Sequence, residues 1–433
     1  MKKTLTFLTA LILVCNSGYS QWTSKDFGAK LSYCWDILFI DAHTGFIVGD
    51  YTDPNTQVDY SRIYRTTNDG TTWTKVFEVA DGVDYYNLSS IYFTTSSIGF
   101  VVGKKNQIVF ICKTTDGGAT WTSTTEAAVF NASTVFFPSA SVGYVAGDFS
   151  STNMGIIKTT DGGATWTNIS QAAAAIMNGA ILDIHFLDNN TGFAVTVASF
   201  GNPGGIYKTT DGGTTWTQKF LAGNTASINS IHFIDATNGF ACGTTGDVFK
   251  TTDGGNNWTN ISLQISDDVH DVYFFTSQLG YVASGGAGAG GLYGGVYKTT
   301  NGGTSWTLDC DGSPNVYLTC YALSFAVGIG YTSGISGYAR AINAPMDINE
   351  TPQTYTNLVI YPNPSEGHYK IELEGQNNCN VEVYDVIGNL VLQNKYNDMR
   401  TIEFDLTSQS SGIYYLKLTT ENGNVVTSKI SKN

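Results

Sequence analysis

YKTTDGGTTWT, from Tyr207 to Thr217, occurs with small changes six times in this 433-residue chain. The other copies are Tyr64–Thr74 (YRTTNDGTTWT), Cys112–Thr122 (CKTTDGGATWT), Ile157–Thr167 (IKTTDGGATWT), Phe249–Thr259 (FKTTDGGNNWT) and Tyr297–Thr307 (YKTTNGGTSWT). Their tryptophans, Trp73, Trp121, Trp166, Trp216, Trp258 and Trp306, lie 48, 45, 50, 42 and 48 residues apart. A period in that range marks one supersecondary unit used repeatedly, a propeller blade or a solenoid coil. Each copy has the chemistry of a hairpin. Lys-Thr-Thr ends a strand rich in β-branched residues. Asp211 accepts hydrogen bonds from the turn backbone, and Gly212 and Gly213 take the positive φ the turn needs. Asn68, Asp116, Asp161, Asp253 and Asn301 hold the same place, and the tryptophan starts the returning strand.

A second motif recurs seven times: apolar-x-Phe, a short polar turn, Gly-aromatic, then small apolar residues. It runs from DILFIDAHTGFIVG at Asp36 through Ser90, Thr134, Asp183, Ser230 and Asp271 to YALSFAVGIGYTSG at Tyr321. Each reads as a hairpin of two short strands. Together with the box hairpin it gives four strands per repeat, the number in a propeller blade. The seventh repeat has no box, whereas Gln21-Trp22-Thr23 looks like the tail of an orphaned box strand. The expected fold is therefore all-β: a seven-bladed propeller over 21–345, its last blade built from about 319–345 and completed by the N-terminal strand. Such closure removes exposed sheet edges.

The repeated box resembles the Asp-box of bacterial neuraminidase-repeat propellers. That resemblance implies a structural staple remote from any active site, so the box aspartates read as turn formers. Over residues 22 to about 345 the chain is similar to the photosystem assembly-factor and sortilin-like group, which implies protein binding rather than substrate processing.

Bulk composition agrees with an exported all-β protein. Charged residues make up 13% of the chain, against roughly 25% in an average protein. A net charge of −14 argues against nucleic acid or anionic membrane surfaces as partners. Lys2-Lys3, the apolar run Leu5–Val14 and the small residues before Gln21 read as a secretory signal peptide over 1–20, cut between Ser20 and Gln21. Ile12-Leu13-Val14 lacks the small residue a lipobox wants before Cys15. No later segment is long and apolar enough to be a transmembrane span.

After the last repeat, 346–356 reads as a linker, and 357–433 alternates apolar and polar residues in strand fashion. Tyr361-Pro362-Asn363-Pro364, Tyr384-Asp385 with Gly388, and Gly412 with Tyr414 resemble the type IX secretion C-terminal sorting domain. The resemblance implies a β-sandwich, delivery by the type IX secretion machinery through the periplasm, and a product that is secreted or attached to the outer-membrane surface.

Six cysteines remain after signal removal, in a compartment that permits disulfides. Cys310 and Cys320 flank a connecting loop and can bridge; Cys34 is the competing partner. Cys112 and Cys242 occupy apolar strand positions. No metal spacing is present, and no cofactor is expected. His185 and His232 fall in one column of adjacent repeats, which Leu38, Tyr92, Phe136 and Tyr273 also fill, so inter-blade packing accounts for them. The run Ser284–Gly295 lacks the Lys-Ser/Thr of a phosphate loop.

A sialidase holds its substrate carboxylate with three arginines, and the propeller has only Arg62, Arg65 and Arg340, of which Arg65 stands where other boxes have lysine. No catalytic residue is assigned. The alternative is a glycoside hydrolase with a carboxylate pair. The favoured reading is a non-catalytic propeller that binds an extracellular protein or glycan. Its expected site lies opposite the box turns: Asp36, Asp183 and Asp271, flanked by Tyr60, Tyr85 and Tyr86. Either these form an acidic rim for a cation, glycan or basic segment, or the aspartates only accept backbone donors at strand starts.

Overall fold

Gly192 begins the second strand of an inner hairpin, and a Cβ placed there would fall inside the Phe186 ring that ends the first strand. Gly45, Gly99, Gly143, Gly239, Gly280 and Gly330 stand in the same relation to Phe39, Phe93, Phe137, Phe233, Phe274 and Phe325. The Gly-aromatic half of the motif is thus a packing requirement, because only glycine leaves room for the ring. Gly192→Ala is expected to cost about 1–3 kcal/mol, as overpacked sites do. Gly82→Ala, where nothing lies within 4 Å of the added carbon, should cost almost nothing. Urea denaturation of the two variants checks this.

The computed structural model describes residues 21–432 except 27–30, 42, 127–130, 150–152, 171–176, 178, 199–201, 224–225, 286–293, 311–319, 327–328, 335–336, 343–358, 362–364, 386–389, 411 and 421–424. Two units are distinguished, Met1–Met346 and Asp347–Asn433. Among the described residues the first unit holds seven four-stranded antiparallel sheets. Their innermost strands are Tyr33–Phe39, Tyr86–Phe93, Asn131–Phe136, Ile181–Phe186, Ile228–Phe233, Val269–Phe274 and Cys320–Ala326. Each touches the innermost strands of the sheets before and after it, and the seventh touches the first, so the sheets form a ring.

Aromatic pairs hold neighbouring sheets together. The ring that follows each hairpin glycine stacks on the hairpin phenylalanine of the next sheet: Phe46 on Phe93 (4.6 Å), Phe100 on Phe137 (4.5 Å), Tyr144 on Phe186 (3.9 Å), Phe193 on Phe233 (4.2 Å) and Phe240 on Phe274 (3.4 Å). Tyr281 meets Phe325 at 5.0 Å with a tilt, and Tyr331 stacks on Phe39 at 3.4 Å, which joins the seventh sheet to the first. The box tryptophans meet the same phenylalanines edge-on, from Trp73 on Phe39 to Trp306 on Phe274. The edge contacts are a geometry the ring quadrupole favours.

The box turns serve the same interfaces. In each, the carboxylate or amide oxygen of the Asp or Asn that follows the two threonines accepts the amide four residues on, as Asp211 does from Thr215 at 2.8 Å. Asp116, Asp161 and Asp253 do likewise, and Asn68 and Asn301 show that an amide suffices. Hydrogen bonds from the Thr120 side chain and amide hold Asp116 down at about 2, and those from Asn257 hold Asp253 likewise. Gly212 and Gly213 have φ of 68° and 86°. In the first box Asp69 takes the corresponding left-handed place at φ 59°, which a short polar side chain tolerates. The box lysines cross to the next sheet: Lys158 donates to the Gly212 carbonyl at 2.9 Å, and Lys113 and Lys208 reach Gly162 and Gly254. Box and inner-hairpin turns lie at one end of the ring, since Gly212 N–H donates to Asn190 O and Gly254 N–H to Thr237 O.

The seventh sheet takes three strands from Cys320–Ile342 and its outermost from Gln21–Asp26, paired antiparallel from Gln21↔Ile342 to Asp26↔Gly337. Trp22 packs beside Phe325 and Gly330, and its indole N–H donates to Asp309 on the outermost strand of the sixth sheet at 2.7 Å. Trp306 bonds the Ile261 carbonyl of its preceding sheet in the same manner.

The second unit has one five-stranded antiparallel sheet. Its long strand His368–Asp385 pairs with Val359–Tyr361 before the register shift between Glu372 and Asn377, and with Gly412–Thr420 after it. Tyr369, Ile371, Val381, Val383, Phe404, Leu416 and Leu418 form its core. Tyr361 is exposed and donates to Glu372 at 2.5 Å; Tyr384 is half-buried, and the exposed Gly412 precedes buried Tyr414, which donates to Ser410 O. Pro362, Asn363, Pro364, Gly388, Ser20 and the 1–20 segment lie outside the described residues, as do the side chains of Gln21 and Asp385.

Candidate functional site at the centre of the ring

Every innermost strand carries a β-bulge at one place. The register skips from Cys34 to Asp36, Leu88 to Ser90, Ala132 to Thr134, Ile181 to Asp183, Ile228 to Ser230, Val269 to Asp271 and Cys320 to Ala322. A bulge leaves one residue unpaired and re-aims its neighbours. The motif starts read from sequence, each nine residues before its hairpin glycine, are small and polar in six of the seven repeats; in the seventh the structure puts Ala322 in that column, and Tyr321 is the unpaired residue. The cause is a turn one residue shorter between Phe325 and Gly330 than between Phe39 and Gly45, which displaces a count made back from the glycine.

The three aspartates of that column staple the ring. Asp36 accepts the Ile37 amide at 2.8 Å and, from the second sheet, the Ile91 amide at 2.9 Å. Asp183 accepts the Ile184 amide and, from the fifth sheet, the Ile231 amide at 3.0 Å, with the Thr134 and Ser230 hydroxyls also donating. Asp271 accepts the Val272 amide and the Leu323 amide of the seventh sheet at 2.7 Å, and the one hydroxyl hydrogen of Ser230 is shared between it and Asp183. Three carboxylates thus serve amides on six of the seven inner strands. That is the plainer of the two readings open in the sequence.

Loss of hydration pushes Asp36 and Asp271 up to about 7, against the lowering effect of the amides they accept, and raises Asp183. Unfolded aspartate titrates near 3.9, so between pH 4 and 7 the folded chain holds more protons than the unfolded one. Stability from these groups is full below pH 4, falls as pH rises through 7 and is level above. His185 and His232, pushed by burial down to about 3 and about 4, act with the opposite sign below pH 6.5. The aspartate signature is therefore read between pH 6.5 and 8, where the melting temperature should fall. An Asp36→Asn/Asp271→Asn variant should lie lower but be flatter across that window.

The three candidate aspartates share the innermost strands, and Ser230 lies within hydrogen-bond distance of both Asp183 and Asp271; the three tyrosines belong to the first sheet and the start of the second. Tyr60 lies on the third strand of the first sheet beside Arg62, whose guanidinium sits 4.9 Å from its ring. Tyr86 packs edge-on against Phe110 at 5.3 Å, and Tyr85 is exposed under Lys104. His185 and His232 meet edge-on at 5.7 Å, and His232 Nδ1 accepts the Phe274 amide. Among the described residues no cluster of acids, histidines and cysteines could hold a metal. Cys112 and Cys242 are buried thiols. Cys34 faces the seventh sheet and Cys320 the sixth; the Cys310 side chain lies outside the described residues.

What the sequence reading missed is the unpaired residue of each bulge: Trp35, Ser89, Ser133, Leu182, Asn229, His270 and Tyr321, each partly exposed beside a buried neighbour. On three consecutive sheets these are aromatic and in contact. His270 meets Tyr321 edge-on at 5.1 Å, Tyr321 meets Trp35 at 5.4 Å, and Trp35 stacks on Tyr33 at 5.3 Å and 7°. Asp50 accepts from the Trp35 indole at 2.6 Å and from Ser61 and Asn87 at 2.7 Å each.

Comparison with known proteins places this arrangement. The family model for the photosynthesis system II assembly factor YCF48 matches residues 83–219 and 170–317, together more than half of the chain, and that for the secretion system C-terminal sorting domain matches 359–433. The solved structure of YCF48 bound to D1 peptide is 19% identical, with a TM-score of 0.57 over 75% of this chain and 96% of that one. The GH74 xyloglucanase from Xanthomonas campestris is 11% identical, with a TM-score of 0.57 over 92% and 59%. Likeness at such identity shows the fold alone. An endo-acting ulvan lyase of Formosa agariphila is 29% identical over 80 residues, and this chain spans 15% of that relative's length. The repeated boxes and the cyclic sheets therefore have a family: the chain belongs to the β-propellers of the YCF48 assembly-factor family, and its type IX sorting domain makes it an exported member, secreted or held at the cell surface.

Proposed function

We propose that this exported propeller is a non-catalytic binding protein, which engages an extracellular protein or glycan at the end of its ring opposite the box turns. In this reading the seven sheets are seven blades of a domain over 21–345, 346–356 is a linker, and 357–433 is a β-sandwich recognised by the type IX machinery after cleavage between Ser20 and Gln21. Cys310 and Cys320 form its disulfide.

One observation carries the non-catalytic reading. The three carboxylates on the innermost strands, Asp36, Asp183 and Asp271, are each bound to amides of two neighbouring sheets, so neither a nucleophile nor a base is left free among them. The elevated Asp36 and Asp271 favour the second reading, a glycoside hydrolase, because a carboxyl group still protonated near neutral pH can act as general acid. The purified chain screened against a glycan and peptide library, read for binding and for reducing-end release, separates the two. Binding without release is expected. Release that disappears in Asp271→Asn would establish the hydrolase.

A further inference from the structure

The unpaired residues of the seven bulges carry no formal charge at neutral pH; burial holds His270 below its ordinary range. They divide by chemistry. Aromatic rings run unbroken from the sixth sheet through the seventh to the first, and Ser89 and Ser133 follow on the second and third. Asp50 is a positioning residue: three donors occupy its two oxygens, and its bond to the Trp35 indole fixes that ring. At the end of the stack Tyr33 is 43% exposed, so one aromatic face is open to a ligand.

A pyranose ring has a face of C–H groups carrying slight positive charge, which suits the electron-rich face of an aromatic ring. A cation would suit that face as well. The bulge column, however, offers no carboxylate to pair with a cation. A polyanionic glycan would meet a chain of net charge −14 and be repelled. We propose that the arc Tyr33–Trp35–Tyr321 binds a neutral oligosaccharide, whose C–H face stacks on Tyr33 while Trp35 and Tyr321 hold that ring in place. This rests on the binding-protein reading and names the ligand class.

The test uses the full chain, titrated by calorimetry and tryptophan fluorescence with neutral hexaoses (cello-, laminari-, xylo- and manno-), with hexalysine and with a sulfated polyuronate. At least one neutral hexaose should bind. Tyr33→Ala and Tyr321→Ala should each weaken it tenfold or more. Tyr33 is exposed enough that its variant should keep the parent melting temperature. Asp50→Asn should weaken binding less and shift the indole emission. No binding by any neutral hexaose, binding by hexalysine or the polyanion alone, or neutral binding indifferent to Tyr33→Ala would each overturn the site. Cleavage of a bound hexaose would instead overturn the non-catalytic reading and leave the site standing.

Discussion

Deleting Gln21–Asp26 is expected to lower the melting temperature of the propeller by roughly 10 °C and to make it aggregate. The deletion removes six paired residues from the seventh sheet and leaves the strand Gly337–Ile342 as an open edge, a template for association with other chains. It also removes Trp22, and loss of a packed tryptophan alone costs about 3–5 kcal/mol, a large part of a typical total of about 5–15 kcal/mol. Trp22→Ala should show roughly half the loss without the new edge, so it should melt early yet remain monomeric. Scanning calorimetry with light scattering distinguishes the two. A deletion variant that melts with the parent would mean that the ring does not depend on its N-terminal strand.

Truncation after Asn357 should abolish appearance at the surface or in the medium while leaving the propeller folded. The sorting domain has a core of its own, and Met1–Met346 forms a separate unit, so its removal strips no propeller sheet. The truncated chain should accumulate in the periplasm with the parent's near-ultraviolet dichroism. Fractionation with immunodetection reads the outcome. Normal surface delivery of the truncated chain would show that 357–433 is not the export signal.

The scaffold was legible in the sequence because its constraints are local and repeat. Asp211, Gly212, Gly213 and Trp216 announce a turn in any one copy, and six copies announce the architecture. Even the seventh sheet could be read, since Trp22 had no box of its own. The centre of the ring was less legible for a physical reason. A bulge inserts a residue without changing residue types, so nothing in Cys34-Trp35-Asp36 says which member is unpaired. Counting back from the hairpin glycine succeeded in six repeats and failed in the seventh, where the short turn moved Tyr321 out of the acidic column and into the aromatic one. The partners of Asp36, Asp183 and Asp271 were hidden too: each reaches a backbone amide on the following sheet, and an amide has no signature in sequence.

The pairing of the first strand with the last also sets an order of events during export. Trp22 leaves the inner membrane long before Asp309, its partner 287 positions later. The early strand must therefore wait, unpaired, until nearly the whole propeller has crossed. Closing so long a loop is entropically costly and slow, and the first six sheets can assemble meanwhile from neighbours in sequence. Completion of the ring therefore requires that synthesis has run past Ile342. The sorting domain emerges only after that point, so the signal for the next membrane becomes available to a propeller that is already able to close.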